Sequence, residues 1–421
     1  MITRRQFLQY CITSAAALGL SQTDILKLKE ALAAQTGCSA PTLPVIWLSG
    51  QACSGCVTSL LNRVVSVDGN YYDGDMLNAL YGAGIPKAHP NDPLGLAGNV
   101  VADTADLLVG DAVRAVVPVP FRWYPGDATS VPWADDVNAI LPTLVKPFPG
   151  GYITNVWNTT VMASMGELEV PYLESIVNAP YVPPGPPDHP FALIVEGSIP
   201  RSWNGRACMV FDNYNGVITN LPWGGGARPV SAWEALIWMA RSPNCLFVEC
   251  IGTCSSYGGI PAGAGNRTDA QSVTTILQDA SVATPVVNIP GCPANPDWMM
   301  YPVAYAYING LNLPPLDEFG RPNAIFDGGR QHLCATCSKG PMGTNPALEL
   351  GDYGCLNSLG CKGALTRSDC PDRQWNRFDD GTKNNWCVGG GGIADARHPC
   401  QGCVQPTFPD GMSPFYGSNI V

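Results

Sequence analysis

Val45-Ile46-Trp47-Leu48-Ser49-Gly50-Gln51-Ala52-Cys53-Ser54-Gly55-Cys56 sets a short apolar run directly before a glycine-bearing loop that holds two cysteines. Four apolar residues bounded by turn formers read as a buried strand, and residues 57–67 continue with helical periodicity. A strand that passes to a helix through such a loop is the unit of a parallel α/β sheet. The unit recurs. Residues 192–195 run into Glu196-Gly197-Ser198-Ile199-Pro200, residues 246–251 into Gly252-Thr253-Cys254, and residues 286–289 into Pro290-Gly291-Cys292-Pro293-Ala294-Asn295-Pro296. Open parallel sheets gather ligands outside the carboxyl ends of their strands. Glycines in these loops let backbone approach a bulky group and offer N–H donors to it.

Outside these units the punctuation changes. Residues 116–190 are rich in Pro, Trp and Gly, ending near Pro183-Pro184-Gly185-Pro186-Pro187, and read as an insertion or excursion from the sheet. After about residue 312 apolar periodicity fades, and Gly, Pro and Cys dominate. Such a segment needs bound groups as structural staples. The whole chain of 421 residues is 46% hydrophobic and 14% charged, with 46 Gly and 39 Pro, which excludes a disordered or coiled-coil protein. A net charge of −11 leaves no basic patch for phosphate, so nucleic acid is not a partner.

The 17 cysteines carry the chemistry, because twelve of them crowd into three groups. These are Cys53, Cys56, Cys254 and Cys292; Cys334, Cys337, Cys355 and Cys361; and Cys370, Cys387, Cys400 and Cys403. Each group of four can hold one iron–sulfur cubane, since thiolates are the usual ligands. Disulfides and zinc are the alternatives, the latter disfavoured because the first group comes from widely separated segments. Of the others, Cys11 lies in the N-terminal segment, and Cys38, Cys208, Cys245 and Cys250 read as inert buried thiols.

Residues 1–33 read as a removable address. Thr3-Arg4-Arg5-Gln6-Phe7-Leu8 precedes an apolar stretch over residues 11–20, and Ala31-Leu32-Ala33 supplies small residues for cleavage. This resembles a twin-arginine export signal, which carries proteins already folded around their cofactors. The expected location is the periplasm or the outer face of the cytoplasmic membrane. No later stretch reaches the roughly 20 apolar residues of a transmembrane helix.

Six motifs in order resemble the small subunit of NiFe hydrogenases. They are Cys53-Ser54-Gly55-Cys56, Glu196-Gly197-Ser198-Ile199-Pro200, Gly252-Thr253-Cys254-Ser255-Ser256-Tyr257-Gly258-Gly259, and Pro290 to Pro296. Gly354-Cys355 to Gly360-Cys361-Lys362-Gly363 and His398-Pro399-Cys400-Gln401-Gly402-Cys403 follow. The resemblance implies a flavodoxin-like α/β domain with a parallel sheet over residues 43–311, holding a proximal cluster, and a largely irregular domain over 312–421 with medial and distal clusters. It implies a large-subunit partner with the nickel–iron centre and a downstream acceptor such as a cytochrome or a membrane quinone-reducing subunit. This chain would relay electrons through three [4Fe–4S] clusters, with a [3Fe–4S] medial cluster as the alternative.

Carried over by motif, the proximal site takes Cys53, Cys56, Cys254 and Cys292. The distal site takes Cys337, Cys355 and Cys361, and the medial site Cys370, Cys400 and Cys403. Two positions depart from the family. Cys334 has the spacing at which the family usually places a distal histidine, with His332 as the competing ligand. Cys387 stands where many members have a proline that goes with a three-iron medial cluster. Oxygen-tolerant relatives add cysteines at positions that are Gly55 and Gly259 here, so an ordinary proximal cubane is implied. Glu196 is expected to orient the proximal loop, with proton movement as the alternative. His398 is expected to donate a hydrogen bond, and His89 and His189 carry no visible chemistry.

Overall fold

The computed structural model describes residues 43–61, 65–67, 70–72, 153–158, 169–181, 190–308, 312–326, 332–335, 337, 344–350, 352, 354–370, 375–377, 383–384 and 399–415. The export signal, Cys38, His89, His189, Cys387 and His398 lie outside these residues.

Five parallel strands form the main sheet: β1 (Leu43–Ser49), β2 (Ile153–Asn158), β3 (Phe191–Glu196), β4 (Cys245–Ile251) and β5 (Val286–Ile289). Their spatial order is β2-β1-β3-β4-β5, the flavodoxin-like order, with its switch point between β1 and β3. β3 is buried along its whole length, as an apolar strand covered on both faces must be.

Alternation along the strands builds two cores. Val45, Trp47, Ala192, Ile194, Phe247 and Ile251 face one side, where they meet α1 (Gly55–Leu61) and α6 (Pro296–Ile308). Ile46, Leu48, Leu193, Val195, Val248 and Cys250 face the other. There they pack on α2 (Glu169–Val177), α3 (Ala232–Ala240) and α5 (Val273–Asp279). α4 (Gly252–Tyr257) is a short helix directly off the end of β4.

The described residues of the C-terminal segment form short 3-10 turns and small bridges. They share the first core, since Val404 is buried there and Cys370 and Cys403 pack against it. Arg321 donates to the Val404 carbonyl at 3.3 Å, and Trp298 Nε1 donates to Asp369 at 2.6 Å.

Two local expectations change. Residues 57–67 are not one helix: α1 ends at Leu61, and Val65–Val67 pairs antiparallel with Asn70–Tyr72. The β-branched valines and the intervening Asp68-Gly69 favour a hairpin over helical continuation. Residues 116–190 are not wholly outside the sheet either. Within them, β2 pairs with β1 from Leu43↔Ile153 to Trp47↔Asn158. Its sequence, Ile153-Thr154-Asn155-Val156-Trp157-Asn158, is too polar to stand out as a core strand, because an edge position asks less of it.

Candidate cluster-binding sites

Register brings the strand ends level. Ser49 pairs with Glu196, Glu196 with Ile251, and Ile251 with Ile289. The three cysteine loops start just beyond this row. Glu196, 2% exposed, fixes the first loop. Its Oε1 accepts the N–H groups of Cys56 and Val57, both at 3.1 Å, and its Oε2 accepts Trp47 Nε1 at 3.2 Å. A carboxyl from a neighbouring strand thus satisfies the opening N–H groups of α1. Burial pushes its pKa up from 4.5. Orientation of the loop is the role this geometry gives Glu196.

Thr253 joins the other two loops and the C-terminal segment. Its N–H donates to the Gly291 carbonyl at 2.9 Å, and its Oγ1 accepts the Gly291 N–H at 2.9 Å. The same hydroxyl donates to the Cys403 carbonyl. The motif spacing alone gives Thr253 no role; a hydroxyl between the glycine and cysteine of the triplet is the one signal of it in the sequence.

Cys254 lies within electrostatic reach of Cys53, Cys56 and Cys292, and Cys56 also of Cys292. Burial and then the Glu196 charge raise the Cys56 thiol, with further contributions from Cys254 and Cys292. Cys254 is pushed up to about 12 by burial, then by Cys292, with Cys53 adding to the effect. Glycines leave room beside the sulfurs. A Cβ on Gly252, at φ +85°, would lie 2.6 Å from Cys56 Sγ, and one on Gly259, at φ +54°, would lie 2.9 Å from Cys254 Sγ. Cys250 is not part of this group. It is fully buried on the opposite face of the sheet, and Cys245 is buried in the same core. Cys208 is half-buried, its thiol pushed up to about 11 by burial.

The second group also converges. Cys334 is pushed up to about 11 by burial and then by Cys361, Cys337 and Cys355. A Cβ on Gly363 would lie 3.3 Å from Cys334 Sγ and 3.4 Å from Cys361 Sγ, so both sulfurs flank one glycine. Leu333 N–H donates to the Thr366 carbonyl at 2.9 Å and holds the Cys334 turn against that segment. His332 has a buried Nδ1 without a hydrogen-bond partner among the described residues.

Of the third group, Cys370, Cys400 and Cys403 are described and Cys387 is not. Gly402 N–H donates to Cys400 Sγ at 3.4 Å, and Cys400 N–H donates to Cys361 Sγ at 3.3 Å. Cys370 packs both against the sheet core that includes Cys56 and against the Leu333–Cys400 cluster beside Cys337 and Cys361. Cys370 therefore touches both the core that holds part of the first group and the cluster that holds part of the second.

No disulfide joins the described cysteines. Among the described residues no group of His, Cys, Asp or Glu closes around a single metal ion, as a tetrahedral zinc site with bonds of about 2.3 Å would. Mutually coupled thiols, N–H donors aimed at sulfur and glycine-lined space fit a larger thiolate-held group. Thiols with raised pKa values must shed protons to bind it.

A flavodoxin-like sheet with thiols on its strand ends, completed by a cysteine-rich segment, defines a class of redox protein. Residues 137–306 match the family model of the NADH ubiquinone oxidoreductase 20 Kd subunit, and residues 342–416 match that of the C-terminal part of the NiFe/NiFeSe hydrogenase small subunit. The periplasmic [NiFeSe] hydrogenase small subunit of Desulfomicrobium baculatum is 30% identical over 99% of this chain and 98% of its own length. The periplasmic [NiFe] hydrogenase small subunit of Solidesulfovibrio fructosivorans is 25% identical over 99% of this chain and 93% of its own. The solved structure of H2-activated Dm. baculatum [NiFeSe]-hydrogenase superposes with a TM-score of 0.56 at 29% identity, covering 90% of this chain and 100% of that one. The chain belongs to the NiFe hydrogenase small-subunit family. It is a hydrogenase subunit, and its relatives pair with a large subunit.

Proposed function

We propose that this chain relays electrons, one at a time, from a nickel–iron centre in its large-subunit partner to an external acceptor. The twelve cysteines would hold three four-iron clusters: a proximal one on Cys53, Cys56, Cys254 and Cys292, a medial one on Cys370, Cys387, Cys400 and Cys403, and a distal one on Cys334, Cys337, Cys355 and Cys361. The observation that supports this is the double contact of Cys370, which packs both against the sheet core that includes Cys56 and against the Leu333–Cys400 cluster, as a ligand in the middle of a series would. Bound clusters would supply reversible one-electron chemistry.

The chain's own residues supply the rest. Glu196 and Thr253 hold the proximal loops, the Gly402 and Cys400 N–H groups reduce negative charge on sulfur, and the two cores keep water away. Cys53, Cys292 and Ile260 are exposed at the strand ends, which suits docking of the large subunit over the proximal site. The distal end would then face the acceptor, a cytochrome or a membrane quinone-reducing subunit. Export by the twin-arginine route to the periplasm fits the Arg4-Arg5 segment and the periplasmic relatives. Among the described residues no helix is long and apolar enough to cross a membrane, so membrane attachment would come from a partner.

Iron and sulfide analysis with EPR-monitored redox titration of the co-purified complex tests this. About twelve irons and three separately titrating clusters are expected. The isolated chain should hold iron but neither contain nickel nor oxidise hydrogen. Zinc in place of iron, or only one titrating cluster, would refute the relay.

A further inference from the structure

Lys362 is 6% exposed, an unusual environment for an ammonium-bearing side chain. Its neighbours in sequence belong to the distal site: Cys361 before it, and Gly363, which flanks Cys334 Sγ and Cys361 Sγ, after it. Its neighbours in space belong to the medial site. Lys362 N–H donates to the Cys400 carbonyl at 2.7 Å, and Cys400 N–H returns to Cys361 Sγ at 3.3 Å. The Lys362 Cβ lies 3.3 Å from where a Cβ on Gly402 would stand. The Lys362 carbonyl accepts Thr366 Oγ1 at 2.8 Å, which fixes the turn on its other side. The buried Lys362 therefore directly follows Cys361 of one thiol group and is tied through its backbone N–H to Cys400 of the other.

We propose that Lys362 is a positioning residue that sets the reduction potentials of the medial and distal clusters together. Clusters held by thiolates are anionic, and each reduction adds a negative charge, so a nearby positive charge favours the reduced form. The effect is strong because the charge is poorly screened where water is excluded. Asp369, 2% exposed and bound to Trp298 Nε1, precedes Cys370 in the chain and carries the opposite charge. The Lys362 N–H bond to the Cys400 carbonyl and the peptide link to Cys361 keep the residue beside both sites at once, so one residue keeps their potentials in step.

This inference rests on the assignment of the two clusters, and the test separates the two claims. The wild-type complex and its Lys362→Met and Lys362→Arg variants are purified, their iron and sulfide counted, and each cluster titrated by EPR. Lys362→Met, with full iron, should shift the one-electron equilibrium of both clusters toward the oxidised form about tenfold each, about 59 mV for a one-electron couple. The proximal potential should stay in place, and Lys362→Arg should keep both potentials near wild type. If the methionine variant loses iron, Lys362→Gln is titrated in its place, with the same expected shift. Full iron with unmoved medial and distal potentials overturns the role of Lys362. A wild-type complex lacking iron at these cysteines overturns the cluster assignment instead.

Discussion

Glu249 lies in the middle of β4, fully buried, and neither carboxylate oxygen has a hydrogen-bond partner among the described residues. Ile194 and Val287 flank it on the neighbouring strands. Burial raises its pKa well above 4.5, so the folded chain holds this proton more tightly than the unfolded one. The unfolded chain then binds fewer protons above about pH 4.5, and stability falls as pH rises from there toward the folded pKa. Glu249→Leu should remove that penalty. We expect it to stabilise the chain by about 1–3 kcal/mol near neutral pH and to flatten the pH dependence of thermal melting. A lower melting temperature at neutral pH would contradict this. The lone acid in the run Leu246-Phe247-Val248-Glu249-Cys250-Ile251 is plain in the sequence, but its lack of partners is a property of the packed sheet.

Cys334 is the opposite case, since its spacing to Cys337 already marks it in the sequence. The structure adds its electrostatic contact with Cys361, Cys337 and Cys355. Cys334→Ala should lose or convert the distal cluster, read as missing iron and an altered EPR signal. His332→Ala should leave that signal intact. The reverse pattern would make His332 the ligand.

At the scale of elements, the β4–α4 junction shows how a turn serves a site. Gly252 adopts φ +85°, and a Cβ there would press on Cys56 Sγ at 2.6 Å. Gly252→Ala combines backbone strain of about 1 kcal/mol or more with a collision at a proposed ligand. Loss of about a third of the iron is expected, confined to the proximal signal. Ser231, the cap of α3, provides the contrast. Its Oγ accepts the Glu234 N–H at 3.2 Å, at the start of a helix packed on the opposite face of the sheet. Ser231→Ala should cost about 1 kcal/mol in a denaturation experiment and leave the iron count unchanged. Elements such as β3, β4 and β5 are legible in the sequence because parallel strands buried on both faces read as mostly apolar runs. β2 is not, because its pairing with β1 is visible only once the sheet is assembled.

At the scale of the whole molecule, the described residues of the sheet domain and of the C-terminal segment share one apolar core and are tied by polar contacts such as Trp298 to Asp369. Thr253 is central to that junction, bonded to Gly291 on one side and to the Cys403 carbonyl on the other. Thr253→Val keeps the volume but leaves the Gly291 N–H and the Cys403 carbonyl without this hydroxyl, at a cost of about 1–3 kcal/mol. Faster amide hydrogen exchange should follow around residues 399–415 and 290–293, with the α3 region unaffected. Unchanged exchange in both segments would show that the apolar contacts of Val404 and Cys370 hold the junction unaided.

The sequence by itself determined the strand-loop-helix rhythm, the positions of the cysteine motifs along the chain and the resemblance to a hydrogenase subunit. These are local or ordered along the chain, and ligand spacing survives in linear form. Tertiary structure bore out the flavodoxin-like sheet that the resemblance implied, and it alone decided the edge position of β2 and the double contact of Cys370. It also decided the separation of Cys250 from Cys56 by the thickness of the sheet and the burial of Lys362 beside Cys361 and Cys400. Each depends on contacts between residues distant in sequence, and packing, rather than any one segment's composition, determines which side chains lose water and meet.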